Sequence, residues 1–366
     1  TRDKLLDNQT LAGRTMSWEQ TLDKYGAVIE ERLRTFLDES VKEAGDYHPF
    51  IEKVYSDIEE FVLRKGKRLA SCSTLLTYKG YTGKVDEKIL KVCVGVELYR
   101  HAILVHDDMV DMDAQRRGGS TLHTKFVNSY RPYDNRFGDG AAVFAGNIVY
   151  ALAVRAIMES GFPEETINRI LRLTSEGYRD VNESQILDLL FEQKDVSVNE
   201  WSVMASKRAT SLFKVTILTG AILGDAPEAD LSLLGEAAEN MGYSFDIQDD
   251  IIDSFAPKEE YGRSSCLDIS KNKKPLHVIY ALNSKDPKTS EALKCLLGKQ
   301  FLSFGEIDLA RKLLRESGGL DAAKQTSKKH AKQARALITQ TSLTEDVKEF
   351  FNSFILYIEE SLNWYK

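Results

Sequence analysis

Apolar residues return at three- and four-residue intervals over most of this chain, and none of its seven prolines interrupts the pattern. Such spacing lays the apolar side chains along one stripe of an α-helix. A proline inside a helix would remove a backbone donor and clash with the preceding turn. The periodicity predicts helices over 18–43, 51–63, 85–113, 141–160, 167–190, 202–223, 231–253, 302–317, 322–339 and 347–364. Pro49, Pro132, Pro163, Pro227, Pro257, Pro275 and Pro287 all fall between them. Acidic residues follow Pro163 and Pro227 and suit the positive end of a new helix. Strand-like alternation between turn signals is almost absent, so the fold class expected is all-α.

A length of 366 residues would by itself suggest about two domains. No linker, repeat or break in composition divides the chain, so one domain over 1–366 is expected, with 1–17 a loosely ordered extension. A net charge of −7, with 42% hydrophobic and 29% charged residues, is that of an ordinary globular protein and a poor match to nucleic acid. Cys72, Cys93, Cys266 and Cys295 form no CxxC pair and read as reduced packing residues. No apolar run approaches the roughly 18 residues of a membrane span, and the first residues lack a signal-peptide pattern. A soluble, cytoplasmic protein without integral membrane association is expected. Two long loops, 114–138 and 254–274, each follow directly on a cluster of aspartates, where a functional loop would sit.

The first cluster is Asp107, Asp108 and Asp111 in Ile-Leu-Val-His-Asp-Asp-Met-Val-Asp. Positions 107 and 111 share a helix face. The apolar residues around them imply burial, and crowded buried carboxylates need counter-charge, which magnesium supplies. Alone, such a cluster reads equally as a solvated acidic face. A second cluster, Asp249, Asp250 and Asp253, repeats the spacing on another apolar helix. Magnesium takes one or two carboxylates and completes its shell with water and phosphate oxygens, so two facing clusters make a clamp for a diphosphate. Cations stand nearby in sequence: Lys67 and Arg68 after Gly66, Arg116 and Arg117 past the first cluster, and Lys271, Lys273 and Lys274 past the second. Each charge-assisted hydrogen bond to a leaving diphosphate is worth about 1.5–3 kcal/mol.

These residues resemble the trans-prenyl diphosphate synthases, the polyprenyl synthetase family that includes farnesyl and geranylgeranyl diphosphate synthases. The resemblance runs from about Lys65 to Pro275. It rests on Asp-Asp-Met-Val-Asp followed by Arg-Arg-Gly, on Gly-Tyr-Ser-Phe-Asp-Ile-Gln-Asp-Asp-Ile-Ile-Asp, on Ser184-Gln185 with Asp188, and on Gly262-Arg263 followed by Asp268-Ile269 and Lys273. It implies a single antiparallel helical bundle of the isoprenoid synthase type around a central substrate cavity, a homodimer, and three Mg²⁺ per site. Carried over by position, Asp107, Asp111 and Asp249 would bind metal, with Asp108, Asp250 and Asp253 completing the catalytic clusters. Arg116, Lys273 and Lys207 or Arg208 would grip the allylic diphosphate, with Gln185 beside them. Lys67, Arg68 and Arg117 would hold isopentenyl diphosphate. Loss of diphosphate, attack by the isopentenyl double bond and loss of a proton would follow, the protein supplying placement, charge and dryness.

Several positions depart from the family pattern. The arginine expected three residues after Lys67 is Ala70, and the histidine expected seven before Asp107 is Arg100. Either Arg100 replaces the missing guanidinium at the isopentenyl diphosphate site, or it pairs with a carboxylate such as Glu97. Asp246 stands where the family has glutamine, and Lys207-Arg208-Ala209-Thr210 where it has Lys-Thr. Asp246 holds the guanidinium of Arg208 either for catalysis or as a structural pair. Asn147 stands where an aspartate is common. In a bundle of this type the hydrocarbon runs down beside the first aspartate helix, past Ile103 and Ala102 to Tyr99. Alanine at 102 removes the block of a C15 maker and Tyr99 closes the floor one turn deeper, which favours the C20 product, geranylgeranyl diphosphate. A noncatalytic partner subunit and a class I terpene cyclase are the competing readings. Intact aspartates argue against the first, and an isopentenyl diphosphate site argues against the second.

Overall fold

The computed structural model describes residues 16–129, 134–257 and 265–361. Pro132, Gly262, Arg263, the far end of the helix expected to reach 364 and nearly all of the expected N-terminal extension lie outside the described residues. The chain runs through helices α1 (Trp18–Tyr47), α2 (Pro49–Leu63), α3 (Leu69–Thr82) and α4 (Glu87–Val110). A hairpin of two-residue strands, β1 (Gln115–Arg116) and β2 (Gly119–Ser120), leads into α5 (Leu122–Ser129). Then come α6 (Asn135–Met158), α7 (Glu164–Phe191), α8 (Val198–Ala205), α9 (Ala209–Leu223) and α10 (Glu228–Phe255). The C-terminal part adds α11 (Leu267–Ser270), α12 (Leu276–Leu282), α13 (Pro287–Lys294), α14 (Phe304–Glu316), α15 (Gly319–Gln340) and α16 (Glu345–Ser361).

Each described proline sits at a helix boundary: Pro49 and Pro287 open α2 and α13, Pro163, Pro227 and Pro275 are N-caps, and Pro257 follows the C-cap of α10. At a helix start a missing N–H costs nothing, and after a C-cap proline cannot continue the helix. Four expectations need correction. Helix α3 is not in the predicted set, because its buried Ser71, Ser73, Thr74 and Thr77 break the apolar stripe. Two of the hydroxyls are satisfied within the helix, Ser73 donating to the Leu69 carbonyl (2.7 Å) and Thr77 to that of Ser73 (2.8 Å), and two reach neighbouring helices, Ser71 donating to Glu97 (2.7 Å) and Thr74 to the Thr216 carbonyl (2.8 Å). The helix expected over 202–223 is two helices, broken at Ser206–Arg208. The segment 114–138 is not one loop but carries the hairpin and α5, and 254–274 carries α11. Helices α12 and α13, absent from the predicted set, are short.

Helices α4 and α10 are buried over most of their length and lie at the centre. The first packs along α6, the second against α9 and α15, and α3 packs across α9. By length and composition α6 would suit a membrane span. Its Ala142, Ala145, Gly146, Val149, Leu152 and Ala153 are instead buried in the protein interior. Both aspartate clusters occupy the last turns of their helices, α4 ending at Val110 and α10 at Phe255. The C-terminal end of a helix carries partial negative charge, so three carboxylates at each end make an intensely negative mouth that must be met by cations.

Candidate active site

A cavity of about 410 Å³ opens between these two helix ends. Its acidic wall includes Asp107, Asp111, Asp249, Asp250 and Asp253, joined by Asp188 of α7 and by Asp246 one turn before the second cluster. Ile103, Leu104, Val181, Leu212 and Phe245 line the apolar part. Arg100, Arg116, Arg117, Arg208 and Lys273 bring positive charge to the same space.

The cations are already distributed among the carboxylates. Arg116 donates through Nε to Asp108 (2.5 Å) and lies 3.4 Å from Asp107, whose other oxygen accepts from the Gln185 amide (2.8 Å). Lys273 reaches both oxygens of Asp111 (2.8 and 2.9 Å) and also Asp188 (3.0 Å). Arg208 donates to Asp246 (2.8 Å) and Asp250 (3.1 Å), with Asp188 3.8 Å away. Lys271 ties Asp113 at 2.6 Å, linking the loops that follow the two clusters. Asp253 accepts from the Asp268 N–H (3.1 Å) and so shapes the second of those loops.

Charge balance decides the protonation. Burial pushes Asp108 up to about 7, Arg116 opposing, and pushes Asp111 up to about 6 against the pull of Lys273. Burial also raises Asp246 and Asp250, because one guanidinium cannot neutralise the carboxylates grouped around it. Arg208 remains charged: burial acts against it, and Asp246, Asp250 and Asp188 outweigh that. Asp249 faces the cavity with no ion pair to any described residue.

Among the described residues no three carboxylate, imidazole or thiolate side chains converge to hold a metal unaided. The donors offered by Asp107, Asp111 and Asp249 are all hard carboxylate oxygens on opposite walls of a space wide enough for another ligand. This suits magnesium, which fills most of its shell with water and phosphate oxygens.

Other predicted residues are placed differently. Arg68 is turned inward rather than toward the cavity. It is 4% exposed in a left-handed backbone conformation, donates to the Val62 carbonyl (2.8 Å) and lies 3.4 Å from both Glu97 and Glu30. Its neighbours are structural. Lys67 stands at the surface over the ring of Trp18 (4.6 Å) and beside that of Tyr357 (5.8 Å). Lys207 pairs with Asp180 and Glu183 on the outside of α7, leaving Arg208 as the member of that pair in the cavity. Arg100 makes no ion pair or hydrogen bond with any described residue. Glu97 is instead engaged by Ser71 (2.7 Å), Arg68 (3.4 Å) and His101 (3.7 Å), so the Glu97 pairing considered for Arg100 does not form. Burial, then the neighbouring Arg116, lowers the pKa of Arg100.

Of the residues expected at the floor, Ile103 lines the cavity, whereas Ala102 and Tyr99 are fully buried behind it and are not among its lining residues. Tyr99 lies among Tyr150 and Tyr178, ring centroids 6.5 and 6.0 Å away, and those two stack at 4.0 Å. Gly177 makes the fit possible. A Cβ there would stand 2.4 Å from Val215 Cγ2 and 3.0 Å from the Tyr99 hydroxyl. Sequence reasoning missed Leu104, Val181, Leu212 and Phe245 in the lining, and also His101. Only the four-residue spacing of His101 from Glu97 pointed to it.

The polyprenyl synthetase family model matches residues 51–314. The short chain isoprenyl diphosphate synthase of Methanocaldococcus jannaschii is 28% identical over 79% of this chain and 81% of its own. The solved structure of geranylgeranyl pyrophosphate synthetase from Pyrococcus horikoshii superposes with a TM-score of 0.76 at 26% identity, covering 92% of this chain and 99% of that one. A geranylgeranyl pyrophosphate synthase from Corynebacterium glutamicum, solved with isoprenyl diphosphate and magnesium, shares the fold with a TM-score of 0.86 at 19% identity, over 94% of this chain and 99% of the other.

Proposed function

The chain belongs to the polyprenyl synthetase family, and from that premise we propose that it condenses isopentenyl diphosphate with an allylic diphosphate to give geranylgeranyl diphosphate. The enzyme is a magnesium-dependent trans-prenyltransferase. One observation carries the detailed reading: two aspartate clusters on the ends of α4 and α10 line one cavity together with both paired and unpaired cations. Asp107, Asp111 and Asp249 would hold the magnesium, three ions per site by family resemblance. Bound magnesium screens the charge of the allylic diphosphate and so eases its departure.

The residues of the chain divide the remaining work. Arg116, Lys273 and Arg208 exchange part of their carboxylate bonding for the diphosphate oxygens and strengthen that hold as the C–O bond breaks. Ile103, Leu104, Val181, Leu212 and Phe245 keep water from the allylic cation. Arg100 and Arg117, which make no ion pair with any described carboxylate, would hold isopentenyl diphosphate, with Lys67 at the rim. The isopentenyl double bond attacks the cation, forming the new C–C bond, and the released diphosphate takes the proton. Asp246 keeps Arg208 charged and oriented, so that its role is catalytic through Arg208.

Tyr99, backed by Tyr150 and Tyr178, would stop the growing chain at C20. The apolar side chains of Val143 and Phe144 on α6, and of Ile186 and Leu190 on α7, are exposed, which supports a homodimer covering them. Four free cysteines fit a reducing cytoplasm. The whole chain would act as a single catalytic unit.

The test is incubation of purified protein with Mg²⁺, labelled isopentenyl diphosphate and, separately, dimethylallyl, geranyl or farnesyl diphosphate, followed by chromatography of the dephosphorylated products. A linear C20 alcohol is expected. No isopentenyl incorporation with any primer would overturn the reading, and a cyclic hydrocarbon would replace it with the cyclase.

A further inference from the structure

His101 plays no part in the chemistry above, yet it is locked in place beside a cation that does. It lies on α4, 1% exposed, with the edge of the Phe61 ring against it in a T-shaped pair 6.0 Å between centroids. Its Nδ1 is 2.7 Å from the backbone carbonyl of Glu97. A carbonyl only accepts, so Nδ1 carries the proton and Nε2 presents a lone pair. Nε2 faces Nη1 of Arg117 at 3.5 Å. Burial keeps the imidazole neutral, its pKa lowered to about 3 against the attraction of Glu97, and the charges of Arg117 and Arg68 act in the same direction as burial.

Arg117 is constrained from its other end as well. It and Gly118 are the two loop residues of the β1–β2 hairpin, and both have positive φ (50° and 78°). This is the turn in which both central residues must be left-handed. The guanidinium lies against Gly66, where a Cβ would come within 2.7 Å of Nη1. Among the described residues it makes no ion pair, and His101 is the partner of its one hydrogen bond. Burial acts against its charge first, Glu97 favours it, and the guanidiniums of Arg68, Arg100 and Arg116 add to the opposition. An unpaired guanidinium repelled by three others has every reason to swing into solvent, and the imidazole acceptor opposes that.

We propose that His101 is a positioning residue that holds the guanidinium of Arg117 over Gly66, toward the cavity, so that it can receive the homoallylic diphosphate. This rests on the reading of Arg117 as a grip for isopentenyl diphosphate. A neutral acceptor meets the need, whereas a carboxylate at 101 would pair with Arg117 and compete with the substrate. Glu97 contributes through its backbone carbonyl, which fixes the tautomer.

The test measures kcat and the two Michaelis constants separately in His101→Leu, His101→Gln, Arg117→Ala and the double variant His101→Leu with Arg117→Ala. His101→Leu should raise the KM for isopentenyl diphosphate about tenfold, the scale of one hydrogen bond to a charged group. Its kcat and its KM for the allylic diphosphate should move less than twofold. His101→Gln keeps an acceptor oxygen and should recover most of the loss. In the Arg117→Ala background, His101→Leu should add nothing.

Equal rises in both Michaelis constants, or additive effects in the double variant, would assign His101 to packing and overturn the proposal. Should His101→Leu fold poorly, as judged by thermal melting, the comparison of His101→Gln with the parent decides. A parent-like isopentenyl KM in Arg117→Ala would remove Arg117 from the site and the proposal with it. A parent enzyme that elongates no primer would overturn the function reading itself.

Discussion

Arg208 shows how much a single side chain decides here. Lys207 and Arg208 are adjacent in sequence, yet one pairs at the surface with Asp180 and Glu183 of α7 and the other enters the cavity to meet Asp246 and Asp250. Asp246→Ala should therefore lower turnover at least tenfold, by releasing Arg208 from its oriented pose. Steady-state kinetics showing parent-like turnover would make the pair structural. Gly66 carries a second residue-scale expectation. Gly66→Ala places a methyl group 2.7 Å from Arg117 Nη1, so the isopentenyl KM should rise several-fold while the melting temperature stays near that of the parent. A rise in the allylic KM instead would place Arg117 elsewhere. Both aspartate clusters were legible in the sequence because their spacing repeats. The inward turn of Arg68 was not, since a Gly-Lys-Arg string does not say which cation will find the buried Glu97.

At the scale of elements, helix packing fixes the surroundings of Tyr99. Helix α7 approaches α4 and α9 closely at Gly177, and Val215 with the Tyr99 hydroxyl fills the space that this glycine leaves. Gly177→Ala should overpack the site and destabilise the protein by about 1–3 kcal/mol, read as a lower midpoint in urea unfolding. On the proposed reading of Tyr99 as the chain stop, Tyr99→Ala should lengthen the product beyond C20. An unchanged product would give that role to Tyr150 and Tyr178 or to a second subunit. Periodicity found the long helices within a few residues, since their caps are written in prolines and in motifs such as the Ser17 and Gln20 capping box. It did not find α3, where hydroxyls face the core and are satisfied by carbonyls of the preceding turn or by groups on neighbouring helices. Nor did it find the break between α8 and α9. That break carries Arg208 toward α10, a purpose visible only when both elements are in place.

For the whole molecule, the governing feature is the negative mouth formed where α4 and α10 end. Since no three donors converge among the described residues, Mg²⁺ alone should bind weakly and shift thermal stability little. Mg²⁺ with inorganic diphosphate should bind together and raise the melting temperature by several degrees, as any ligand selective for the folded state does. Chelation should reverse the shift and Asp249→Ala should abolish it. A full shift with Mg²⁺ alone would mean that the carboxylates close on the metal unaided. If two copies cover the exposed face of α6, Phe144→Glu should halve the molar mass measured by light scattering. By itself the sequence determined the helical class, the two aspartate clusters and the family, because periodicity and motif spacing are local properties that survive in any arrangement of the helices. Tertiary structure alone decided which cation meets which carboxylate, that Arg100 and Arg117 make no ion pair with any described residue while Arg68 is committed, and that His101 faces Arg117. Those outcomes depend on which side chains are buried together and on how few countercharges a crowded interior can share.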